Sequence, residues 1–267
     1  MKFKKILFVA LASFVLLSTG CERSKIPANE VIIGTIAGPE TQLMQVAQEQ
    51  AKTQGLKIKI VTFSDYNMPN EALNDGSLNA NMFQTLPYLD AAIKAKHYQI
   101  VPIGKTFIYP MGIYSQRYKS LSQIPKGAKI AIPDDPSNQA RALLLLQSAK
   151  LISLKPGSGA QTTLLDIAEN PLGLKITTLD AAQLPRVLQD VDLAAINTNY
   201  AVPAGLLPSR DALYRESPTN SPYANFVVVR IADKDDPRFQ KLMTTLHSQA
   251  VLDAANTIFQ GQALPAW

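Results

Sequence analysis

The chain has one cysteine, Cys21, and only two histidines, His97 and His247. A single thiol excludes an intrachain disulfide framework and any cysteine-cluster metal site. Neither histidine belongs to a His-x-x-x-His or Cys/His pattern, which argues against metal ligation. No G-x-S-x-G, P-loop or G-x-G-x-x-G is present. Gly157-Ser158-Gly159 comes nearest, but Thr162 stands where a third glycine belongs and Pro156 before it argues for a loop. Asp134 and Asp135 adjoin like a catalytic pair, yet Pro133-Asp134-Asp135-Pro136-Ser137-Asn138 is dense in turn and N-cap residues. A turn handing over to a helix is the better reading. These absences leave no catalytic residue, metal site or cofactor site, and the expectation is a protein that is not an enzyme.

Charge of one sign is also scarce. There are 26 basic and 21 acidic residues, and 23 against 21 once the three lysines of the leader described below are set aside. With no basic stripe and no interleaved aromatics, nucleic-acid binding has no footprint. No apolar run reaches the about 20 residues that a spanning helix needs. The longest, Ile6 to Leu17, follows Lys2, Lys4 and Lys5 and has the length and flanks of a signal-peptide core. It ends at Leu17-Ser18-Thr19-Gly20-Cys21, small residues before a cysteine, which resembles a bacterial lipoprotein cleavage site. One departure is Ser18, where such sites usually carry Leu or Val. Residues 1–20 are therefore expected to be a lipoprotein signal peptide, Cys21 the acylated residue, and 21–29 a polar tether. The alternative is an ordinary cleaved leader with a cysteine nearby. The remaining 247 residues suffice for one large or two modest domains, and 46% hydrophobic with 18% charged residues is a globular composition.

What is present is an alternation of short β-branched runs with helical segments. Val31–Ile36, Leu56–Phe63 and Gln99–Gly104 read as strands. Gln42–Gln54, with Leu43, Val46, Ala47 and Ala51 on one face, Pro69–Leu73 and Pro87–Lys96 read as helices. After Met111 a second series follows: strands at Lys129–Ile132, Lys175–Leu179 and Asp192–Asn197, helices at Gln139–Ala149 and Ala181–Leu188. Tyr223–Ile231 reads as a strand and Pro237–Phe259 as two helices. This is the rhythm of βαβ units and a largely parallel sheet. Two such series predict two α/β lobes, and no internal sequence repeat is visible.

Polar and aromatic residues gather where these strands end. Arg141 falls in the first turn of its predicted helix, where the helix dipole disfavours a cation. It is either a solvated surface arginine or a fork that grips a ligand carboxylate through two parallel hydrogen bonds. Asn197 and Asn225, in or after apolar strands, are either turn or bulge residues or amides that offer a donor and an acceptor to a zwitterion. Tyr66, Phe83, Tyr88 and Tyr109 are core aromatics taken singly. Together, beside Pro69, Pro87 and Pro110, they sit where open α/β sheets form pockets.

Phe63-Ser64-Asp65-Tyr66 followed by Pro69-Asn70-Glu71-Ala72-Leu73 resembles the F-x-D-Y…P-N-E-A-L stretch of the NlpA/MetQ methionine-binding lipoproteins. The resemblance continues through Asn81 to Leu89, Phe107-Ile108-Tyr109-Pro110, Pro133 to Asn138, Arg141 with Leu143 to Gln147, and Glu169-Asn170-Pro171. It extends through Gln183 to Arg186, Ile196-Asn197-Thr198 and Ser221 to Asn225, and covers about residues 31 to 267 in one order. It implies a type II periplasmic-binding-protein fold with two hinge crossovers, near Tyr109 and Asn225. One lobe would hold residues 30–107 plus 227–267, the other 112–222. It further implies a thioether lying among Tyr66, Phe83 and Tyr109, an α-carboxylate held by Arg141, and a zwitterion completed by Asn197 and Asn225, with Tyr88 and Asn138 also at the site. The partners it implies are a small amino acid, methionine first, and the permease of an ABC transporter, with the membrane reached through the lipid. Thr85 stands where the family usually has a histidine, so the side-chain end of this pocket is expected to be wider or wetter.

Two rival readings give different outcomes. A surface lipoprotein with an adhesin or immunogenic role binds no small molecule; a hydrolase without recognisable motifs turns one over. A methionine-containing dipeptide is the alternative ligand. For the anchor, Cys21→Ser is expected to release the protein into the soluble fraction. Protein that stays with membranes after a high-salt wash would place the anchor elsewhere.

Overall fold

A computed structural model describes residues 28–267; the leader, Cys21 and most of the tether lie outside the described residues. The first series runs β1 (Glu30–Ile36), α1 (Pro39–Ala51), β2 (Lys57–Phe63), α2 (Pro69–Asn74), β3 (Ala80–Thr85), α3 (Leu86–Lys96) and β4 (Ile100–Ile108). The second runs β5 (Gly112–Tyr114), β6 (Lys129–Pro133), α4 (Pro136–Ser148), β7 (Ser153–Leu154), β8 (Ile167–Glu169), β9 (Lys175–Leu179), α5 (Leu184–Val187), β10 (Leu193–Ile196), α6 (Thr198–Ala201) and β11 (Tyr214–Arg215). The chain then returns through β12 (Ala224–Arg230), α7 (Pro237–Leu246), α8 (Gln249–Ile258) and β13 (Leu264–Pro265).

These elements form two lobes, each a sheet flanked by helices, and a small β7–β8 ladder. One sheet has the order β2-β1-β3-β12-β4-β13, the other β9-β6-β10-β5-β11. Both are mixed rather than largely parallel. In each, three parallel strands are followed by one antiparallel strand that has just arrived from the other lobe: β12 against β3 and β4, β5 against β10 and β11. The βαβ rhythm identifies the parallel strands other than β3, which was not read from the sequence. It is silent about a strand that enters from a distant part of the chain, and each antiparallel pairing follows from a lobe crossing.

Burial follows the expected periods. Val227 and Val229 of β12 point into the core shared with α1, α7 and α8, while Val228 points to the opposite face with Leu73, Leu78 and Leu89. In β10, Leu193 and Ala195 face one core, Ala194 and Ile196 the other. Sheets buried on both faces carry continuous apolar strands. Helix α1 starts earlier than its apolar period suggests, with Pro39 in its first turn after Gly38, whose φ of 108° suits glycine. It buries Leu43, Met44, Ala47 and Ala51, with Val46 only half buried. Helix α4 also starts early: Asp135 is its N-cap, accepting from the Asn138 amide at 2.8 Å. Arg141 is therefore the sixth residue of α4, in its second turn and not its first.

Gly112 opens β5 just past the first lobe crossing, and a Cβ there would lie 2.8 Å from the ring of Tyr114, two residues on. Tyr114 is fully buried and its ring has no open side to move into. Gly112→Ala is expected to cost about 1–3 kcal/mol of folding stability, as overpacking does. Urea unfolding with an unchanged slope reads it; an unchanged midpoint would show that Tyr114 yields freely.

Candidate functional site

The carboxyl ends of the parallel strands meet between the lobes, and there the structure brings together all nine of the residues singled out from the sequence. Tyr66, Phe83, Thr85, Tyr88, Tyr109, Asn138, Arg141, Asn197 and Asn225 line one cavity, joined by Gln84, Thr198 and Asn199. The first lobe supplies the aromatic wall. Tyr66, in the loop after β2, packs against Phe83 at 5.8 Å, Tyr88 at 5.9 Å and, across the cleft, Tyr200 at 5.0 Å between ring centroids. The Tyr88 hydroxyl donates to the Tyr66 carbonyl at 2.9 Å and fixes that loop.

Phe83 owes its direction to an irregularity. Along the β12–β3 ladder Phe226 pairs with Gln84 and Val227 with Met82, so Phe83 is the extra residue of a bulge. The bulge resets the alternation and brings Gln84 to the side of Asn81. Asn70, Asn81 and Gln84 then close a buried amide network with bonds of 2.6–2.9 Å. Beyond it Thr85 pairs directly with Asn225, which places the position of the family's histidine and the second asparagine side by side. Tyr109 stacks on Phe259 at 4.7 Å, and its buried hydroxyl has no partner.

The polar wall of the second lobe is oriented by a relay. Asp135 accepts from the Asn138 side-chain amide at 3.0 Å, which leaves Asn138 Oδ1 to accept from Asn197 Nδ2 at 2.8 Å. A carboxylate only accepts, so the order of donors is set by Asp135. The chain ends on Asn197 Oδ1, buried at the cavity without a partner, and Asn199 Oδ1 is in the same state. Burial pushes the Asp135 carboxyl up from its usual range, and the Asn138 bonds oppose that shift. These acceptor oxygens suit a cation with several donors.

Arg141 is the cation of the cavity wall, and its fork is already engaged. Nε and Nη2 donate to Glu216 at 2.7 and 2.6 Å, and Nη2 also donates to the Tyr109 carbonyl at 2.9 Å. Its flat face lies 4.2 Å from the ring centroid of Tyr223. Burial alone would pull the guanidinium down; Glu216 beside it more than offsets this and holds it charged. Nη1 makes none of these bonds. The two-bond grip expected from the sequence is made instead to Glu216. The free volume among the lining side chains is about 20 Å³, room for about one water molecule.

The histidines lie elsewhere: His97 ends α3 in the left-handed conformation, and His247 stacks on Trp267 at 4.1 Å. Sequence reasoning missed Glu40, Gln84, Thr198, Asn199, Tyr200, Glu216 and Tyr223. Asn199 and Thr198 adjoin Asn197 and were legible by proximity. Glu216 carries no local signal, since it reaches Arg141 only through the fold.

The Arg141–Glu216 pair is almost wholly buried, with side chains 5% and 11% exposed. Glu216→Ala strands a buried cation and is expected to cost about 3–5 kcal/mol in urea unfolding. The double variant Arg141→Met with Glu216→Leu should recover much of that loss. A double variant no more stable than Glu216→Ala would mean that the loss comes from something other than the unpaired charge.

A model of the NlpA lipoprotein family matches residues 31–267. The chain is 44% identical to the D-methionine-binding lipoprotein MetQ of Salmonella typhimurium over 272 aligned positions, covering 100% of both chains. A periplasmic substrate-binding protein of an ABC transporter from Coxiella burnetii is 63% identical with a TM-score of 0.86, over 88% of this chain and 100% of that one. A nutrient-binding protein from Burkholderia cenocepacia, solved bound to methionine, is 51% identical with a TM-score of 0.87, over 89% and 100%. With its fold and nearly its whole length matched, the chain belongs to the NlpA lipoprotein family.

Proposed function

We propose that this protein is the lipid-anchored substrate-binding component of an ABC importer and captures methionine, or a closely related small amino acid, between its lobes. One observation carries the reading: a single cleft cavity holds a buried cation with a free Nη1 edge, unpartnered carbonyl acceptors on Asn197 and Asn199, and an aromatic wall of Tyr66, Phe83 and Tyr88. These are the three complements of an amino acid with an apolar side chain. Arg141 takes the carboxylate, the asparagines take the ammonium, and the rings take a thioether, whose sulfur gains about 0.3–1.5 kcal/mol beside an aromatic edge. Micromolar binding requires about −8 kcal/mol.

Residues 30–107 with 227–267 form one lobe in this reading and 112–222 the other. Closure turns about the two crossovers, near Tyr109 and Asn225. Cys21 carries the lipid, the protein is exported and held at the membrane, and the closed form delivers its ligand to a permease. The names of the relatives support the amino acid and the transporter.

Thermal shifts test the ligand. Protein stripped by partial unfolding and refolding is screened against L- and D-methionine, leucine, other amino acids and methionine dipeptides. Ligand at 100 times its Kd stabilises by about 2.7 kcal/mol, and each kcal/mol moves the midpoint of a chain this long by about 2–4 °C. A rise of about 5–10 °C is expected with methionine, and Thr85→His should sharpen the preference for it. A flat panel would sink the amino-acid reading and favour a surface role without a small ligand.

A further inference from the structure

Glu40 stands in the first turn of α1, one residue after Pro39, and is 1% exposed. Neither of its carboxyl oxygens completes a hydrogen bond. The Asn199 side chain and the Ile36 backbone lie beside it and offset only part of the cost of burial, so the carboxyl is pushed up to about 8. Asn199 lines the cleft cavity with its own Oδ1 unpartnered, and its side chain stands beside Glu40. Tyr109, on the same cavity, has an unpartnered hydroxyl and feels the charge of Glu40.

An acid without a counter-charge thus stands beside acceptors without donors. Burying such a carboxylate is costly until a cation compensates it. A compact ammonium, with three N–H donors, is the group that satisfies both. Resting on the amino-acid reading above, we propose that Glu40, acting through Asn199, is the positioning residue that makes this site demand a charged ammonium, and that ligand capture ionises Glu40 and releases one proton to solvent.

The titratable groups around Glu40 are Tyr66 after β2, Tyr109 at the first crossover and Tyr200 of α6, all phenols that burial keeps protonated well above neutral pH. Asp135 and Arg141, at the N-cap and second turn of α4, act on the same Tyr66. Burial raises the Asp135 carboxyl as well, so the comparison with Glu40→Gln decides which of the two carboxyls gives up the proton. The sign follows: below about pH 8 the free protein holds the proton that binding must expel, so affinity falls with falling pH, by up to tenfold for each unit that the ligand lowers the carboxyl.

Calorimetry with L-methionine between about pH 6 and 8.5, repeated in buffers of different ionisation enthalpy, counts the protons released. The wild-type protein is expected to lose at least about tenfold in affinity across that range and to release close to one proton near pH 7. Glu40→Gln, equal in size and neutral, should bind with no slope and match the wild type near pH 6. N-acetylmethionine, which has no ammonium, should be rejected by the wild type at pH 8.5 and less strongly by Glu40→Gln. A flat wild-type profile without proton release overturns the role of Glu40 and leaves methionine binding intact; a slope that survives in Glu40→Gln overturns it as well. L-methionine failing to bind at every pH overturns the amino-acid reading and this inference with it.

Discussion

A guanidinium buried to 4% exposure has to be matched by a charge, and the geometry around Arg141 depends on how that is done. The match comes from Glu216, 75 residues further along the chain. The same carboxylate accepts the Met111 amide at 2.7 Å, and Arg141 donates to the Tyr109 carbonyl. Tyr223 covers the remaining face. Both lobe crossings are thereby fastened to α4 by charge-assisted bonds, which are shorter and stronger than neutral ones. The cation that faces the cavity is also the clasp of the connection between the lobes, so ligand chemistry and lobe geometry share one residue.

The topology explains why the crossings and the cavity coincide. Each sheet has the same order of three parallel strands and an incoming antiparallel strand, followed by β4 and β13 in one sheet and by β11 in the other. The incoming strand slots beside the third parallel strand, so its first residues meet that strand's carboxyl end. Asn225 lies opposite Thr85 for this reason, and Gly112 lies opposite Ile196, one residue before Asn197. Ligands of open α/β sheets bind at such ends. Here two sheets present them to each other, and Tyr66 packs on Tyr200 across the gap.

Around that cavity the structure spends polar groups in two ways. The Asn70–Asn81–Gln84 network bonds its members to one another, and the Asp135–Asn138–Asn197 relay fixes which atom faces inward. Glu40, Tyr109, Asn197 and Asn199 are left with atoms unsatisfied. Buried polar atoms in folded proteins are nearly always hydrogen-bonded, and three of these exceptions, on Tyr109, Asn197 and Asn199, line one cavity.

Period and punctuation made many elements legible: the β-branched runs became β1, β6, β10 and β12, and Pro69 opened α2, whereas α1 and α4 begin at Pro39 and Pro136, ahead of their apolar periods. These signals are local, because a strand or helix declares its buried face within a few residues. The nine residues that line the cavity were singled out because some follow strands that these signals locate, and because their motifs resemble a known family; β3, which carries Phe83 and Thr85, was not among the strands read from the sequence. What the tertiary structure alone decided is pairing. That β5 and β12 run antiparallel, that Phe83 is bulged inward, that Arg141 has given its fork to Glu216, and that Glu40 lies unmatched beside Asn199 all depend on segments far apart in the chain. No window of sequence contains both partners of such a contact, and burial energies that reward apolar faces do not say which buried charge will find which.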